Sequence, residues 1–424
     1  MNQVTKLIGI AACAAGISLG GCSSAGAPNA PVRSLSRAFT GSERGLHGRA
    51  VPNHVLTWDT FDFAGQVQPD IAAPYLDYAT VPVKDANAYA AAGIITVYYS
   101  DPNRSHRGTP MYTKNESTFA HDCNGKRITV GHRPVTTYQM DVRSPDLEPL
   151  WAGWINNILG GGYTYTYIFE DGANNIHNET GVPCGYTEPS WTAASNANDT
   201  ALGQKIIYNG LGTLADGYGK PPPSILLNPT TSGGMMEDCY IKDSQQNPVS
   251  KTTVWQNYET TELAMISAQK LFVCRDLVAF PAQSSLAQRM YMYASFLLTY
   301  DPSSSIMSEK FSTPSNLEVF PEETLVALDP LVQSPTKIGK LKTARWTYGR
   351  QYGACYLLGV PVGSCAVAVN ADVPSASHPF PWPGVYSHTL VLSGAGILDG
   401  GTADVTGPAP PSTIPGSSAL IAIQ

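Results

Sequence analysis

The stretch Tyr163-Thr-Tyr-Thr-Tyr-Ile-Phe-Glu-Asp171 is an aromatic and β-branched run that ends in two carboxylates. Such a run is typical of a buried strand. The segment Gly233-Gly-Met-Met-Glu-Asp238 has the same form, with a short apolar run followed by Glu-Asp. A carboxylate at the C-terminal end of a buried strand lies where barrel enzymes hold their catalytic residues. Each doublet taken singly is equally compatible with a turn or a helix N-cap.

The rest of the first 320 residues alternates between short β-branched or aromatic runs and longer segments of helical character. This alternation indicates βαβ units and a parallel sheet. We assign strands to residues 54–58, 76–81, 94–99, 137–142, 163–169, 224–228, 233–237 and 271–276, and helices to 85–92, 146–159, 200–216, 260–270 and 284–299. Eight strands over this length predict an α/β fold of the (β/α)₈ TIM-barrel type at residues 53–320.

A doubly wound open sheet is the alternative to the barrel. The runs at 224–228 and 233–237 are too close together to enclose a helix, which weakens the strand count. No Gly-rich fingerprint follows the first strand, however, so a nucleotide-binding sheet is disfavoured. After residue 320, Gly, Pro and Val increase and helical periodicity disappears. Short runs separated by turn residues predict a C-terminal antiparallel β-sandwich domain at 321–424.

The N-terminal segment has the pattern of an export signal. Lys6 precedes an apolar stretch at residues 7–19, which is too short to span a bilayer. The following Leu19-Gly-Gly-Cys22 resembles a bacterial lipobox, which implies a signal peptide at 1–21 and lipidation of Cys22. An ordinary secretory signal is the alternative. Residues 22–52 are rich in Ser, Ala, Gly, Pro and Arg and predict a flexible linker.

We therefore expect an exported lipoprotein that is anchored to a membrane, at the outer membrane or cell surface. The chain has 26 basic and 33 acidic residues and a formal net charge of −7. This balance argues against a nucleic-acid partner, which requires a basic surface. The expected partner indicated by the N-terminal segment is the membrane, through the lipid anchor.

Six cysteines follow Cys22, and an even number in an exported protein favours disulfides. The pair Cys355–Cys365 is the most secure because the segment between these residues reads as a tight loop. We favour Cys123–Cys184 and Cys239–Cys274 for the others, although sequence leaves several connectivities open. No CxxC or HxxxH spacing occurs, so we expect no metal, and no cofactor motif such as a P-loop is present.

Strand periodicity bears on which carboxylates could act. Consecutive side chains in a strand point to opposite faces, so one member of each doublet faces the pocket. The alternation at 163–167 aligns Asp171 with Tyr167 and Phe169, but irregular geometry at a strand end leaves the choice open. Neighbouring strands also end in polar or aromatic residues that could bind sugar hydroxyls or stack on a sugar ring; these substrate-binding candidates are Asp59, Asp101, Asp141, Asn228, Trp58 and Tyr99. Helix capping for the polar members and core packing for the aromatic ones are the alternatives.

Several motifs resemble a known family. They are Tyr138-Gln-Met-Asp141, Tyr165-Thr-Tyr-Ile-Phe-Glu-Asp171, Ile225-Leu-Leu-Asn228 and Gly234-Met-Met-Glu237, with Arg350-Gln-Tyr-Gly-Ala and Ala366-Val-Ala-Val-Asn370 in the C-terminal part. Together they look like the glycosyl-hydrolase-like TIM-barrel family related to endo-α-1,4-polygalactosaminidases. The sequence departs from the pattern at Gly172, at Ala371 and in the Cys355–Cys365 loop.

The resemblance selects Asp171 and Glu237 as the catalytic carboxylates. It implies a glycoside hydrolase. Together with the lipobox-like segment, it leads us to expect a lipid-anchored glycoside hydrolase that acts on an extracellular or envelope polysaccharide, so the expected partner is a polysaccharide or oligosaccharide. Glu237 is expected to be the general acid, and Asp171 the nucleophile of a retaining enzyme or the base of an inverting one. No GxSxG motif supports a serine hydrolase. The alternatives are a non-catalytic glycan-binding lipoprotein on a degenerate barrel and a structural envelope lipoprotein.

Overall fold

A computed structural model of the protein describes residues 52–59, 68–131, 134–171, 179–211, 228, 231–237, 239–242, 247–248, 252–275, 286–309, 319–331 and 335–424. The predicted signal peptide, the lipidation site Cys22 and nearly all of the predicted linker lie outside the described residues. Asp238, the second member of one acidic doublet, lies outside them as well. All described residues belong to one compact unit.

Eight parallel strands close into a barrel in chain order, so the predicted TIM-barrel class is confirmed. Each strand pairs in parallel with the strands before and after it in sequence, and the last pairs with the first. The strands are β1 (Leu56–Asp59), β2 (Tyr78–Thr80), β3 (Ile95–Ser100), β4 (Tyr167–Glu170), β5 (Ile206–Asn209), β6 (Thr231–Met236), β7 (Leu271–Arg275) and β8 (Ser305–Glu309).

Helices connect most of these strands, as a (β/α)₈ barrel requires. They are α1 (Pro69–Ala72), α2 (Ala86–Ala91), α3 (Leu147–Gly160), α4 (Glu188–Leu202), α5 (Thr252–Ser267) and α6 (Leu286–Thr299). Local chemistry sets the bounds of α4. The Thr187 side chain accepts a hydrogen bond from the Ser190 backbone N–H at its start, and Gly203 adopts the left-handed conformation that ends it, with φ of 66°.

Three strand assignments from sequence differ from the structure. Residues 206–209 were expected to be helical, but Gly203 ends α4 first and the apolar residues that follow form β5. The run at 137–142 is not a barrel strand, because Tyr138–Gln139 pairs antiparallel with Arg104–Ser105 in a loop after β3. Strand β8 was not predicted, since its serines give it a weak apolar pattern. The run at 224–228 lies outside the described residues except for Asn228.

One buried side chain from each strand fills the barrel interior. These residues are Trp58, Tyr78, Val97, Phe169, Ile207, Met235, Val273 and Ile306. Because strand side chains alternate, the residues two positions further along β3 to β7 also point inward, at the C-terminal end of the barrel. This layer of side chains forms the floor of the site described below.

The C-terminal region is antiparallel, as predicted. Its main sheet contains β9 (Leu325–Pro330), β10 (Lys342–Ala344), β11 (Thr347–Leu357), β12 (Val360–Asn370), β13 (His388–Thr389) and β14 (Ser418–Ile423). The order is β9-β11-β12-β14-β13, with β10 also pairing with β11. Two-stranded ribbons accompany it, Ser377–Pro379 with Thr413–Pro415 and Val391–Ser393 with Thr402–Asp404.

This sheet packs between a helix and a ribbon. One face lies against α6, where the Arg350 guanidinium donates to the Tyr300 carbonyl oxygen at 3.0 Å. The other face packs against Phe380 and Ile414 of the first ribbon, through Ala368. The layer that covers the face opposite α6 is therefore a short two-stranded ribbon and its flanking residues. None of the helices in the described part of the chain is long and apolar enough to cross a membrane.

The three predicted disulfides are all formed, Cys123–Cys184, Cys239–Cys274 and Cys355–Cys365. The first joins the loop after β3 to the loop after β4. The second joins the segment after β6 to β7, next to the floor of the barrel mouth. The third lies across the β11–β12 hairpin. Two of the three disulfides therefore brace the C-terminal end of the barrel, where barrel enzymes have their active sites.

Candidate active site

Five polar side chains from five neighbouring strands meet at the C-terminal end of the barrel. Tyr99 comes from β3, Asp171 directly follows β4, Asn209 ends β5, Glu237 directly follows β6 and Arg275 ends β7. Each is two residues beyond a core residue of the same strand, so alternation points all of them into the barrel mouth. This fixes which member of the first doublet faces the pocket.

Asn209 connects the two predicted catalytic carboxylates. Its Nδ2 atom donates to Asp171 Oδ1 at 2.8 Å and to Glu237 Oε1 at 3.0 Å. A side-chain amide nitrogen carries two hydrogens, so one can go to each carboxylate. The two acceptor oxygens can be no further apart than the sum of these distances, about 5.8 Å. The structure therefore brings Asp171 and Glu237 together across one pocket.

Asp171 is held on both of its oxygens. The Tyr99 hydroxyl donates to Oδ2 at 2.6 Å, while Asn209 occupies Oδ1. The Asp171 backbone N–H donates to the Ser100 carbonyl oxygen at 2.8 Å, so the residue remains attached to the edge of the sheet. Donors on both oxygens fix the orientation of the carboxylate.

Glu237 is held on one oxygen. Its Oε1 accepts hydrogen bonds from Arg275 Nη1 and Asn209 Nδ2. Its Oε2 accepts none from the described residues. The Glu237 side chain is 26% exposed, whereas that of Arg275 is 4% exposed. The carboxylate is therefore partly exposed and is anchored through Oε1 by a buried cation.

A disulfide fixes the relative positions of Glu237 and Arg275. Cys239 lies two residues after Glu237, and its partner Cys274 immediately precedes Arg275. The Cys239 backbone N–H also donates to the Arg275 carbonyl oxygen at 3.1 Å. The two strand ends that carry the ion pair are thus covalently joined.

Glu170, the other member of the first doublet, lies outside the pocket. It is 1% exposed and points away from the barrel interior, where it accepts a hydrogen bond from Asn103 Nδ2 at 2.9 Å. Burial raises the pKa of Glu170 to about 7. Its surroundings are described further below.

Three of the other predicted substrate-binding residues are buried or distant from the pocket. Trp58 is fully buried in the barrel core, and its Nε1 donates to Thr80 Oγ1 at 3.1 Å, so it cannot form a sugar-stacking surface. Asp59 is 1% exposed and follows Trp58, so alternation directs it away from the interior. Asn228 precedes β6 and accepts from Thr231 Oγ1 through its carbonyl oxygen at 2.7 Å, which places it at the opposite end of the barrel.

The remaining two predicted residues have local partners. Asp141 belongs to the antiparallel segment outside the barrel, where Arg143 donates to both of its oxygens at 2.9 Å. It therefore stabilises a loop instead of ending a barrel strand. Asp101 directly follows β3 and accepts from the Arg104 backbone N–H at 3.0 Å. The charges of Asp101 and Asp171 both act on Arg104, so Asp101 remains near the pocket.

Sequence reasoning missed Asn209 and left Arg275 without a role. The run Ile206-Ile-Tyr-Asn209 has the same form as the correctly assigned strands, with apolar residues followed by a polar one. That pattern could have identified it. Arg104, whose Nε donates to Glu179 at 3.2 Å, had no sequence signal because it is placed by a loop.

A family model adds independent information. The model described as hypothetical glycosyl hydrolase family 15 matches residues 88–366, about two-thirds of the chain. The chain belongs to this family. The matched region of the chain includes all five residues of the pocket and extends into the C-terminal sheet. The predicted resemblance to a glycosyl-hydrolase-like barrel family is confirmed, and the protein is of the glycoside hydrolase type.

Solved structures with a similar fold have low sequence identity to this chain. An α-galactosidase from Thermus thermophilus in complex with stachyose has 12% identity and a TM-score of 0.41; the match covers 60% of this chain and 61% of that one. The glycoside hydrolase domain of PelA from Pseudomonas aeruginosa has 11% identity and a TM-score of 0.40, over 62% of this chain and 97% of that one. Ega3 from Aspergillus fumigatus, in complex with galactosamine, has 10% identity and a TM-score of 0.37, over 62% and 94%.

The present chain spans about three-fifths of the length of the Thermus galactosidase. None of these likenesses bears on the reaction, because the identities and TM-scores are low. No curated protein matches the sequence.

Proposed function

We propose that this protein hydrolyses glycosidic bonds with retention of configuration, with Asp171 as nucleophile and Glu237 as general acid and base. The observation that carries the proposal is the pair of hydrogen bonds from Asn209 Nδ2 to Asp171 and Glu237. They limit the separation of the two acceptor oxygens to about 5.8 Å. Retaining glycosidases hold their carboxyl groups roughly 5–5.5 Å apart, while inverting ones need about 6.5–9.5 Å to admit a water.

In the first step, an Asp171 oxygen forms a bond to the anomeric carbon as the glycosidic C–O bond breaks. Glu237 transfers its proton to the departing oxygen, which leaves as a hydroxyl group. The products are a glycosyl ester on Asp171 and an ionised Glu237. Hydrogen bonds from Tyr99 and Asn209 hold Asp171 in the orientation that this attack requires.

In the second step, a water molecule attacks the same carbon from the face that the leaving group vacated. Glu237 takes a proton from this water, and the bond from the anomeric carbon to Asp171 breaks. The sugar is released with its original configuration, Asp171 is again a carboxylate and Glu237 is again protonated. Atoms and protons therefore balance over the cycle.

The ion pair with Arg275 assigns the two oxygens of Glu237. Oε1 already accepts from Arg275 and Asn209, so Oε2 is the oxygen through which Glu237 would transfer a proton. Arg275 also stabilises the charge that Glu237 acquires in the first step, because a buried cation is close to the carboxylate. Its role is to position the acid and stabilise its conjugate base.

For the substrate and location, we propose an extracellular or envelope polysaccharide and a lipid anchor at Cys22. The lipobox-like Leu19-Gly-Gly-Cys22 supports the anchor. The three disulfides support export, because such bonds persist in oxidising compartments. Labelling of cells with a radioactive fatty acid should mark the wild type, and Cys22→Ser should abolish the label.

A glycan panel tests the proposed reaction. Wild type, Glu237→Gln, Asp171→Asn and the surface control Glu188→Gln are incubated with polysaccharides and scored for new reducing ends and for binding. We expect wild type and Glu188→Gln to cleave the same glycan, and both active-site variants to bind it without cleaving it. Binding without cleavage by the wild type would favour the non-catalytic glycan-binding alternative. Full cleavage by Glu237→Gln would contradict the assignment of the acid.

A further inference from the structure

Behind the pocket, Glu170 forms part of a buried group of polar side chains that the proposed reaction does not use. Glu170 immediately precedes Asp171, but its side chain lies on the opposite face of β4, between the barrel and the helix layer. Its Oε1 accepts from Asn103 Nδ2 at 2.9 Å. Its Oε2 is buried and accepts no hydrogen bond from an N–H or hydroxyl donor of the described residues.

Asp199 of α4 is the partner of Glu170. It is 1% exposed, and its Oδ2 accepts a hydrogen bond from the hydroxyl of Tyr208, the residue that faces Glu170 on β5. Asp199 Oδ1, like Glu170 Oε2, is buried and accepts no hydrogen bond from an N–H or hydroxyl donor of the described residues. The two carboxyl groups interact electrostatically, so they lie close together. Two buried carboxyl groups can share a hydrogen bond only when one of them carries a proton.

The electrostatic surroundings keep this proton in place. Burial raises the pKa of Glu170 to about 7, despite the hydrogen bond from Asn103 that lowers it. Burial and the neighbouring Glu170 hold the pKa of Asp199 well above its usual range. Among the described residues, Asp171 acts on Glu170 from outside the pair, and its negative charge also favours protonation of Glu170. Asn103 and Tyr208 are neutral.

We propose that Glu170 and Asp199 are positioning residues for Asp171, and that their shared proton joins the end of β4 to α4. Because Glu170 and Asp171 are consecutive in the chain, a fixed Glu170 side chain fixes the backbone from which Asp171 projects. Loss of the shared proton would break the Asp199–Glu170 bond and add a second negative charge behind Asp171. The inference rests on the proposed function of Asp171.

Two variants of Asp199 separate positioning from general packing. In Asp199→Asn, the amide can donate to Glu170, whereas Asp199→Ala removes the donor. We expect Asp199→Ala to lower kcat by about 10- to 100-fold with a much smaller change in KM. We expect Asp199→Asn to stay within about 3-fold of the wild type at neutral pH. Equal kcat values for the two variants would overturn the proposal.

The pH dependence of kcat gives a readout that packing alone does not change. In the wild type, kcat should fall on the alkaline side as the pair releases its last proton to solvent. In Asp199→Asn the donor cannot ionise, so this alkaline fall should disappear or move to higher pH. Superimposable alkaline limbs would overturn the proposal, and this comparison applies even if Asp199→Ala does not fold.

Infrared spectroscopy tests the shared proton without any substrate. The difference spectrum of wild type minus Asp199→Asn at neutral pH should contain the carbonyl band of a protonated carboxylic acid. Its absence would overturn the proposal. This result is independent of hydrolysis, so an inactive wild type that shows the band would contradict only the proposed function. An active wild type without the band would contradict only the shared proton.

Discussion

Asn209 Nδ2 lies 2.8 Å from Asp171 Oδ1, and the two residues stand at the ends of neighbouring barrel strands. The same nitrogen also donates to Glu237. One amide thus sets the separation of the two carboxylates and the face that each presents to the pocket. The distance between the catalytic groups is fixed by side-chain chemistry as well as by the barrel.

Removal of this amide should impair the reaction far more than the fold. We expect Asn209→Ala to lower kcat/KM by about 100-fold, since two hydrogen bonds to charged acceptors are lost. Asn209→Asp should lower kcat/KM further than Asn209→Ala does, because it would place a third carboxylate between Asp171 and Glu237. Steady-state kinetics and thermal melting measure the two effects. Asn198→Ala is the control, since Asn198 Nδ2 bonds to the Val142 carbonyl oxygen; equal kinetics for Asn198→Ala and Asn209→Ala would contradict the role of Asn209.

The Cys239–Cys274 disulfide should affect both stability and activity. We expect the double Cys→Ser variant to lose about 2–4 kcal/mol of unfolding free energy and to lower kcat, because the ends of β6 and β7 carry Glu237 and Arg275. The matched control is the double Cys→Ser variant of Cys355–Cys365, which lies in the C-terminal hairpin. That control should lose stability while kcat is retained. Denaturant unfolding measures the stability of both variants, and steady-state kinetics measures their kcat. An equal loss of kcat in the two variants would contradict the proposal that the Cys239–Cys274 disulfide holds Glu237 and Arg275 in position.

Glu262 on α5 should make stability depend on pH. Burial raises its pKa to about 7, although hydroxyl groups of Thr299 and Ser305 bond to it at 2.6 and 2.8 Å. The folded protein therefore binds a proton that the unfolded chain releases above its ordinary pKa of 4.5. Stability from this group is present below the unfolded pKa and is lost as pH rises towards 7.

Glu262→Gln carries no titrating group at this position. From pH 4.5 to 8, the wild type should lose about 3 kcal/mol more unfolding free energy than the variant. Urea unfolding at several pH values measures the difference. Parallel stability curves for the two proteins would show that Glu262 is ionised in the folded state.

The parts of the fold that sequence could predict were those with a strong local signal. The aromatic run before Asp171 and the apolar run before Glu237 became β4 and β6. Alternation aligned Asp171 with Tyr167 and Phe169 but left the choice within each doublet open, and the family resemblance selected Asp171 and Glu237. The four-residue β5 has too few residues to distinguish strand from helix, so Asn209 was assigned to a helix. Its bridging position depends on the closure of the barrel, which no local pattern describes.

Two of the substrate-binding candidates, Asp141 and Asn228, were placed wrongly for a related reason. Asp141 follows an apolar run, but that run pairs with a loop segment far away in sequence. Asn228 was taken as the end of one strand and instead precedes the next, β6. A polar residue beside an apolar run is visible in sequence, whereas the end of the barrel at which it lies is set by long-range pairing.

The stereochemistry of hydrolysis tests the central claim most directly. Proton NMR of the first product that the wild type releases, recorded before mutarotation, reports the configuration of the new anomeric hydroxyl. Because the acceptor oxygens of Asp171 and Glu237 are at most about 5.8 Å apart, we expect the configuration of the cleaved bond to be retained. A product of inverted configuration would contradict the assignment of Asp171 as nucleophile.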